Sequence, residues 1–180
     1  MKPEVCDPLP VRRLLAPTEA DLQQLAEVLC DCVAGGASIG FMANLTPARA
    51  LDFWRQVADG VRAGERALLV AEDAQGIAGT VQLVLALPDN QPHRADLAKM
   101  LVHRRARRHG VGSALMRAAE RLAPDCGKTL LVLDTVTGGD AERLYARLGW
   151  THCGVIPRFA LFPDGRPCGT TLFYRDLAPA

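Results

Sequence analysis

The chain has 180 residues, 49% apolar and 23% charged, with a formal net charge of +1. That balance excludes intrinsic disorder, and the longest apolar runs, such as residues 67–71, are far too short to span a bilayer. A near-zero charge also argues against a protein that coats nucleic acid, so the expected organisation is one domain over residues 1–180.

In chain order, residues 11–16 (VRRLLA) read as a short first strand. Pro17 and Thr18 open a helix over 19–33, with Thr18 as N-cap and Leu22, Leu25, Ala26 and Leu29 on one stripe. The stretch 35–44 (GGASIGFMAN) breaks it, and a second helix runs from Thr46 and Pro47 to about Ala63. Residues 67–73 and 77–87 form a hairpin of strands around Gln75 and Gly76. A strand over 94–102 (RADLAKMLV) leads into RRARRHGVGSALMRAAERLA, residues 104–123. A buried strand over 129–134, a short helix over 140–148 and a closing hairpin about the turn 163–167 (PDGRP) complete the chain. The cysteines (Cys6, Cys30, Cys32, Cys126, Cys153, Cys168) show no CxxC pair and no zinc spacing. The N-terminal MKPEVCDPLPVRR has no apolar stretch of leader length, so reduced thiols in a cytoplasmic setting and no metal are expected.

The segment at 104–123 packs four arginines into five positions and then places Val111, Ala114, Leu115, Ala118, Ala119 and Leu122 on one helical face. Arg107, Arg108, His109, Gly110, Val111, Gly112 and Ser113 precede and open that helix as RxxGxG. Glycines that let the backbone approach closely, next to unpaired helix N-terminal amides at the positive end of the dipole, make a pyrophosphate seat. A basic helix entry without a ligand is the plain alternative, and an RNA-binding module using residues 104–108 is another. Against RNA stand the charge balance, the glycines and the absence of aromatic residues among the arginines.

The motif strand KMLVHRRARRHGVGSALM, the buried strand after it and the helix AERLYARLGW together resemble the GCN5-related N-acetyltransferase (GNAT) family over about residues 11–174. GGASIGFMANL, RADLAKMLV, LDTVTG and the PDGRP hairpin look most like the tabtoxin-resistance acetyltransferases. Two positions depart from the common pattern. Gly138 stands where an asparagine is usual, and Arg104 where a proline is. The resemblance implies an α/β fold: a strongly twisted mixed sheet, helices on both faces, and a cleft between two splayed central parallel strands. It implies acetyl-CoA as co-substrate and an amine as acceptor, so the arginine cluster becomes a phosphate clamp. The expected acceptor is a small amino-acid-like antimetabolite or toxin, with a protein N-terminus or an aminoglycoside as the alternative. No nucleic acid or membrane partner is expected.

Acetyl transfer needs a free amine, a polarised thioester carbonyl and a proton for the departing thiolate. Asp134, closing LLVLD, is the candidate proton acceptor or cation anchor; a turn carboxylate that caps a neighbouring amide fits the sequence equally. Asp96 is an acid inside a mostly apolar strand, read as a second acceptor-site carboxylate on the subfamily resemblance. Spacing alone makes Tyr145 a core residue, whereas the family pattern Ala141, Tyr145, Gly149, Trp150 makes it the general acid. The strand 99–102, with Met100, Leu101 and Val102, is expected to carry the amide that polarises the carbonyl. Phe41 and Trp54 are candidates for the acceptor pocket, with core packing the alternative for Trp54. His103, His109 and His152 lack metal spacing and read as turn or surface residues.

Overall fold

The computed structural model describes residues 9–177, so the reading of Cys6 lies outside the described residues. Seven strands form one sheet: β1 (Val11–Leu14), β2 (Arg66–Asp73), β3 (Gly76–Val84), β4 (Arg94–Val102), β5 (Leu130–Val136), β6 (Thr151–Leu161) and β7 (Pro167–Asp176). Their order is β1-β2-β3-β4-β5-β7-β6. Among the described residues only β4 and β5 run parallel, and their pairing stops after Arg94↔Leu130, Ala95↔Leu131 and Asp96↔Val132. Beyond those rungs the two strands separate in the middle of the sheet, which is the expected cleft.

The helices are α1 (Glu19–Ala34), α2 (Pro47–Arg62), α3 (Val111–Leu122) and α4 (Asp140–Arg147). Thr18 caps α1 through a box in which Thr18 Oγ1 accepts from the Asp21 amide at 3.2 Å and Asp21 accepts from the Thr18 amide at 2.9 Å. One core lies on the face covered by α3 and holds Leu115, Met116, Leu131, Leu133, Tyr145 and Phe173; the other lies under α1 and α2 with Leu25, Leu29, Trp54, Leu68 and Val70. Helices therefore cover both faces, as the resemblance implies.

Three strands end two or more residues from where the sequence reading puts them. Strand β1 stops at Leu14, two residues short. Strand β3 stops at Val84 because the amides of Leu85 and Ala86 both turn to the Glu65 carbonyl, at 2.8 and 3.2 Å, and leave the ladder. Strand β5 runs two residues past Asp134, because β7 keeps pairing through Thr135↔Thr171 and Val136↔Thr170. Asp134 is thus not where the chain leaves the sheet. It is paired with Leu172 on one side, while its other edge faces the gap left by β4.

Candidate active site

A bulge in β4 shapes one wall of the cleft. The register passes from Gln82↔Ala98 to Thr80↔Leu101, so Lys99 and Met100 together oppose Val81. Lys99 has φ 50, a conformation rare for a residue with a side chain. The extra residue also switches faces: Ala95 and Leu97 pack into the core under α3, whereas Leu101 packs into the core under α1 and α2. Met100 and Val102 then turn toward the α3 side.

The end of β4 enters a 3₁₀ turn, Arg104–Ala106, that is pinned on both sides. Arg104 pairs with Asp31 through its backbone amide and Nε, each at 2.8 Å. Burial pushes the Asp31 carboxyl up, but Arg104 and His103 outweigh it and hold the group below the usual carboxylate range. Arg105 reaches Asp73 at 2.9 Å and the Ile77 carbonyl at 2.9 Å. Neither of these arginines is a loose solvated charge; they fix the approach to α3. Arg107 donates through Nε to the Val102 carbonyl at 3.0 Å, and its Nη2 stands 3.8 Å from Cys32 Sγ.

Arg108 (φ 68) and Gly110 (φ 77) then take left-handed conformations just ahead of α3. Gly110 is the N-cap, and no side chain of the described residues caps the helix, so its first-turn amides keep their donors for another group. A Cβ on Gly110 would meet no atom of the described residues within 4 Å, whereas one on Gly112 would press on Leu144 Cδ2 at 3.0 Å. The first glycine borders open space and the second lets α3 pack closely on α4. Ser113 is half-buried and His109 exposed in the same turn. Uncapped amides, left-handed backbone and open space fit a pyrophosphate.

On the opposite wall, α4 holds Tyr145 at 4% exposure between Trp150 and Phe173, with ring centroids at 6.1 and 6.0 Å. Trp150 is itself anchored by Nε1 donating to Glu120 at 2.7 Å. The Tyr145 hydroxyl has no hydrogen-bond partner among the described residues. Burial and then Asp134 push its pKa up, so the phenol keeps its proton. Gly138 has φ 79, a conformation open to glycine and also to the asparagine usual there. Its amide donates to Glu142, whose other oxygen accepts from Thr171 Oγ1 at 2.7 Å.

Asp134 is exposed to the cleft and accepts from Thr170 Oγ1 at 2.9 Å. Its field reaches both Tyr145 and Lys99. Asp96 is not brought to that cluster: it stands at the last paired rung, opposite Val132, and its carboxylate is taken by Arg94 at 2.5 Å. Trp54 is fully buried and offers no surface to a ligand. Its neighbour Phe53 is half-buried, meets Phe41 edge-on at 5.4 Å and lies under Lys99 Nζ, which stands 5.6 Å from the ring centroid. The α1–α2 link closes this end of the cleft against the β6–β7 hairpin, through Ser38 to the Leu161 carbonyl at 2.7 Å and the Ala43 amide to the Pro163 carbonyl at 3.1 Å. Sequence reasoning missed Lys99 and Phe53. The available signal was a lysine inside an apolar strand, the same signal that singled out Asp96.

Solved structures share this architecture. A Salmonella typhimurium protein described as an acetyltransferase, determined with its cofactor acetyl-CoA, superposes with TM-score 0.77 at 20% identity, over 96% of this chain and 95% of that one. A ribosomal-protein-alanine N-acetyltransferase from Brucella melitensis gives 0.78 at 23% identity, over 94% and 100%. A protein described as a phosphinothricin N-acetyltransferase gives 0.78 at 20%, over 94% and 100%. At these identities the likeness establishes the fold. The profile of the acetyltransferase (GNAT) family matches residues 32–150, about two thirds of the chain, across β4, the uncapped α3 entry and α4. The chain belongs to the GNAT family of acetyltransferases, enzymes that move an acetyl group from acetyl-CoA to an amine.

Proposed function

We propose that the chain acts as one domain over residues 1–180 and N-acetylates a small, amino-acid-like amine in the manner of the tabtoxin-resistance acetyltransferases, in a cytoplasmic setting. The observation that carries this reading is the cleft where β4 and β5 part. It has uncapped helix amides at one end and, around its middle, Asp134 within electrostatic reach of both Lys99 and Tyr145.

In this reading the amides of residues 108–113 seat the pyrophosphate of acetyl-CoA, with Arg107, Arg108 and His109 around it. Met100 and Val102 line the pantetheine arm, Leu101 meets it through its backbone, and a backbone amide on the unpaired edge of β4 polarises the thioester carbonyl. Asp134 draws in the ammonium and takes one proton from it, which frees the nitrogen lone pair to attack the carbonyl carbon. The carbon–sulfur bond then breaks, Tyr145 supplies the proton to the sulfur, and the second proton that the nitrogen sheds on becoming an amide restores the phenol. A raised phenol can still serve, because the same dry surroundings that disfavour a phenolate disfavour a bare thiolate. Phe41 borders the acceptor side. Asp96 stays paired with Arg94 at the last paired rung, below the reacting groups, and Trp54 supports the pocket from beneath.

Engagement of Arg104 by Asp31 and of Arg105 by Asp73 favours the clamp over an RNA surface, since two of the clustered arginines are already neutralised within the fold. No helix of the described residues is long and apolar enough to cross a membrane. A protein N-terminus as acceptor is the second reading, and the Brucella neighbour is its support. The test is coenzyme A release from acetyl-CoA across small amines, aminoglycosides and N-terminal peptides. Turnover of amino-acid-like amines well above the other classes is expected. Turnover of peptides alone would replace the small-amine reading with the second.

A further inference from the structure

Lys99 is a side chain of the cleft that acetyl transfer as described leaves unused, and its situation is costly. It is half-buried, its backbone is held at φ 50, and its ammonium faces the ring of Phe53 and the turn at Gly40, where a Cβ would stand 3.7 Å from Nζ. It makes no ion pair and no hydrogen bond among the described residues. Burial pushes its pKa down, Asp134 pulls it back up, and Arg66 pushes it down again, so Asp134 is near enough to be felt yet not in contact. Strain at a cleft residue is held only where the surrounding structure fixes it, and here the bulge fixes it.

The buried polar side-chain atoms of this sheet face that lack partners are donors too. Gln82, paired in register with Ala98 beside the bulge, has Oε1 occupied by Arg66 at 3.0 Å, which leaves Nε2 without an acceptor. Trp54 Nε1 is likewise unmatched, behind Phe53. A half-buried cation on one wall and an exposed carboxylate on the other, with no ion pair between them, is a pair of opposite charges held apart. A molecule carrying both charges on one carbon completes each of them.

We infer that Lys99 is the subsite for the acceptor's carboxylate, so that the amine acetylated is the one next to a free carboxylate, held between Lys99 and Asp134. This rests on the small-amine reading above and narrows it: Lys99 sets specificity, while the nitrogen attacks and the thiolate leaves as already described. An α-amino acid fits; its carboxamide and its decarboxylated amine keep the nucleophile and lose the charge that Lys99 meets.

The experiment measures kcat/KM for the protein amino acids, their α-carboxamides and the corresponding decarboxylated amines, with wild type, Lys99→Met and Lys99→Arg. Wild type is expected to prefer acids over carboxamides by on the order of 10- to 100-fold, as the loss of a charged hydrogen bond predicts. Lys99→Met is expected to lower turnover of the acids more than that of the carboxamides by a similar factor, chiefly through KM, and Lys99→Arg to restore part of the preference. Equal loss on acids and carboxamides in a folded Lys99→Met would make the lysine merely structural and overturn the subsite. If Lys99→Met does not fold, the wild-type ratio decides. Release of coenzyme A with carboxamides or decarboxylated amines at rates equal to the acids overturns the carboxylate subsite and leaves N-acetylation standing. No release with any of the panel, from protein that binds acetyl-CoA, overturns both.

Discussion

Tyr145 answers to two demands at once. Its ring fills the core between Trp150 and Phe173, while its hydroxyl is left without a partner at the edge of the cleft. A hydroxyl that bonds no other group of the described residues contributes little to stability and is free for chemistry. Tyr145→Phe separates the roles, because the ring stays and only the oxygen goes. We expect the variant to melt at or slightly above the wild-type temperature and to bind acetyl-CoA with wild-type affinity. It should lose on the order of 10² to 10⁴ in kcat, the usual worth of a general acid. The loss should shrink with an acyl thioester whose thiol is more acidic than coenzyme A. Near-wild-type turnover under conditions where chemistry limits would return the residue to packing alone. Asp134 is the complementary residue, and its surroundings explain how it was half legible. The sequence marks an acid at the end of an apolar run, but the gap beside it comes from β4 turning away, which no local pattern records.

At the scale of elements, local physics wrote most of what could be read. The α3 stripe, the α1 cap at Thr18, the span of β4 and the closing hairpin all follow from periodicity and turn chemistry, and all are where those rules put them. Tertiary effects were silent. The bulge at Lys99 and Met100 leaves no trace in an alternation that it merely shifts, and the pairing partners of Arg104 and Arg105 lie 73 and 32 residues away. The α3 entry supplies the test at this scale. Gly110 is left-handed, and a Cβ there enters open space where a phosphate would lie. Valine adds bulk and about 1–2 kcal/mol of backbone strain, whereas asparagine adds comparable bulk and tolerates the conformation. If the amides seat a pyrophosphate, Gly110→Val and Gly110→Asn should both weaken acetyl-CoA binding by calorimetry, by roughly tenfold or more, and only the first should lose stability. Unchanged affinity in the folded asparagine variant would remove the clamp.

The whole molecule is a sheet with an incomplete seam. Strands β1 to β4 make one continuous antiparallel block and β5, β7 and β6 make another; three parallel rungs join them, helped by the Thr129 amide to the His93 carbonyl at 2.8 Å. The core under α3 spans the joint, with Leu115 and Met116 against Leu131 and Leu133, so the blocks are held at the base and part at the top. A ligand lying between the parted ends touches both blocks, and its binding energy adds directly to the energy that holds them together. At a hundred times its dissociation constant, acetyl-CoA should stabilise the fold by about 2.7 kcal/mol. For a chain of this length that is a rise in melting temperature of roughly 5–10 °C. The pattern of protection matters more than its size. Hydrogen exchange with acetyl-CoA present should slow in peptides from the upper part of β4 and the start of α3, and equally in peptides from β5 and α4, because the same molecule closes both edges. A short RNA should produce neither the melting shift nor the protection. Slowed exchange confined to the start of α3, with β5 and α4 unchanged, would mean that the ligand meets only a helix end, and the seam would then have no part in holding the thioester.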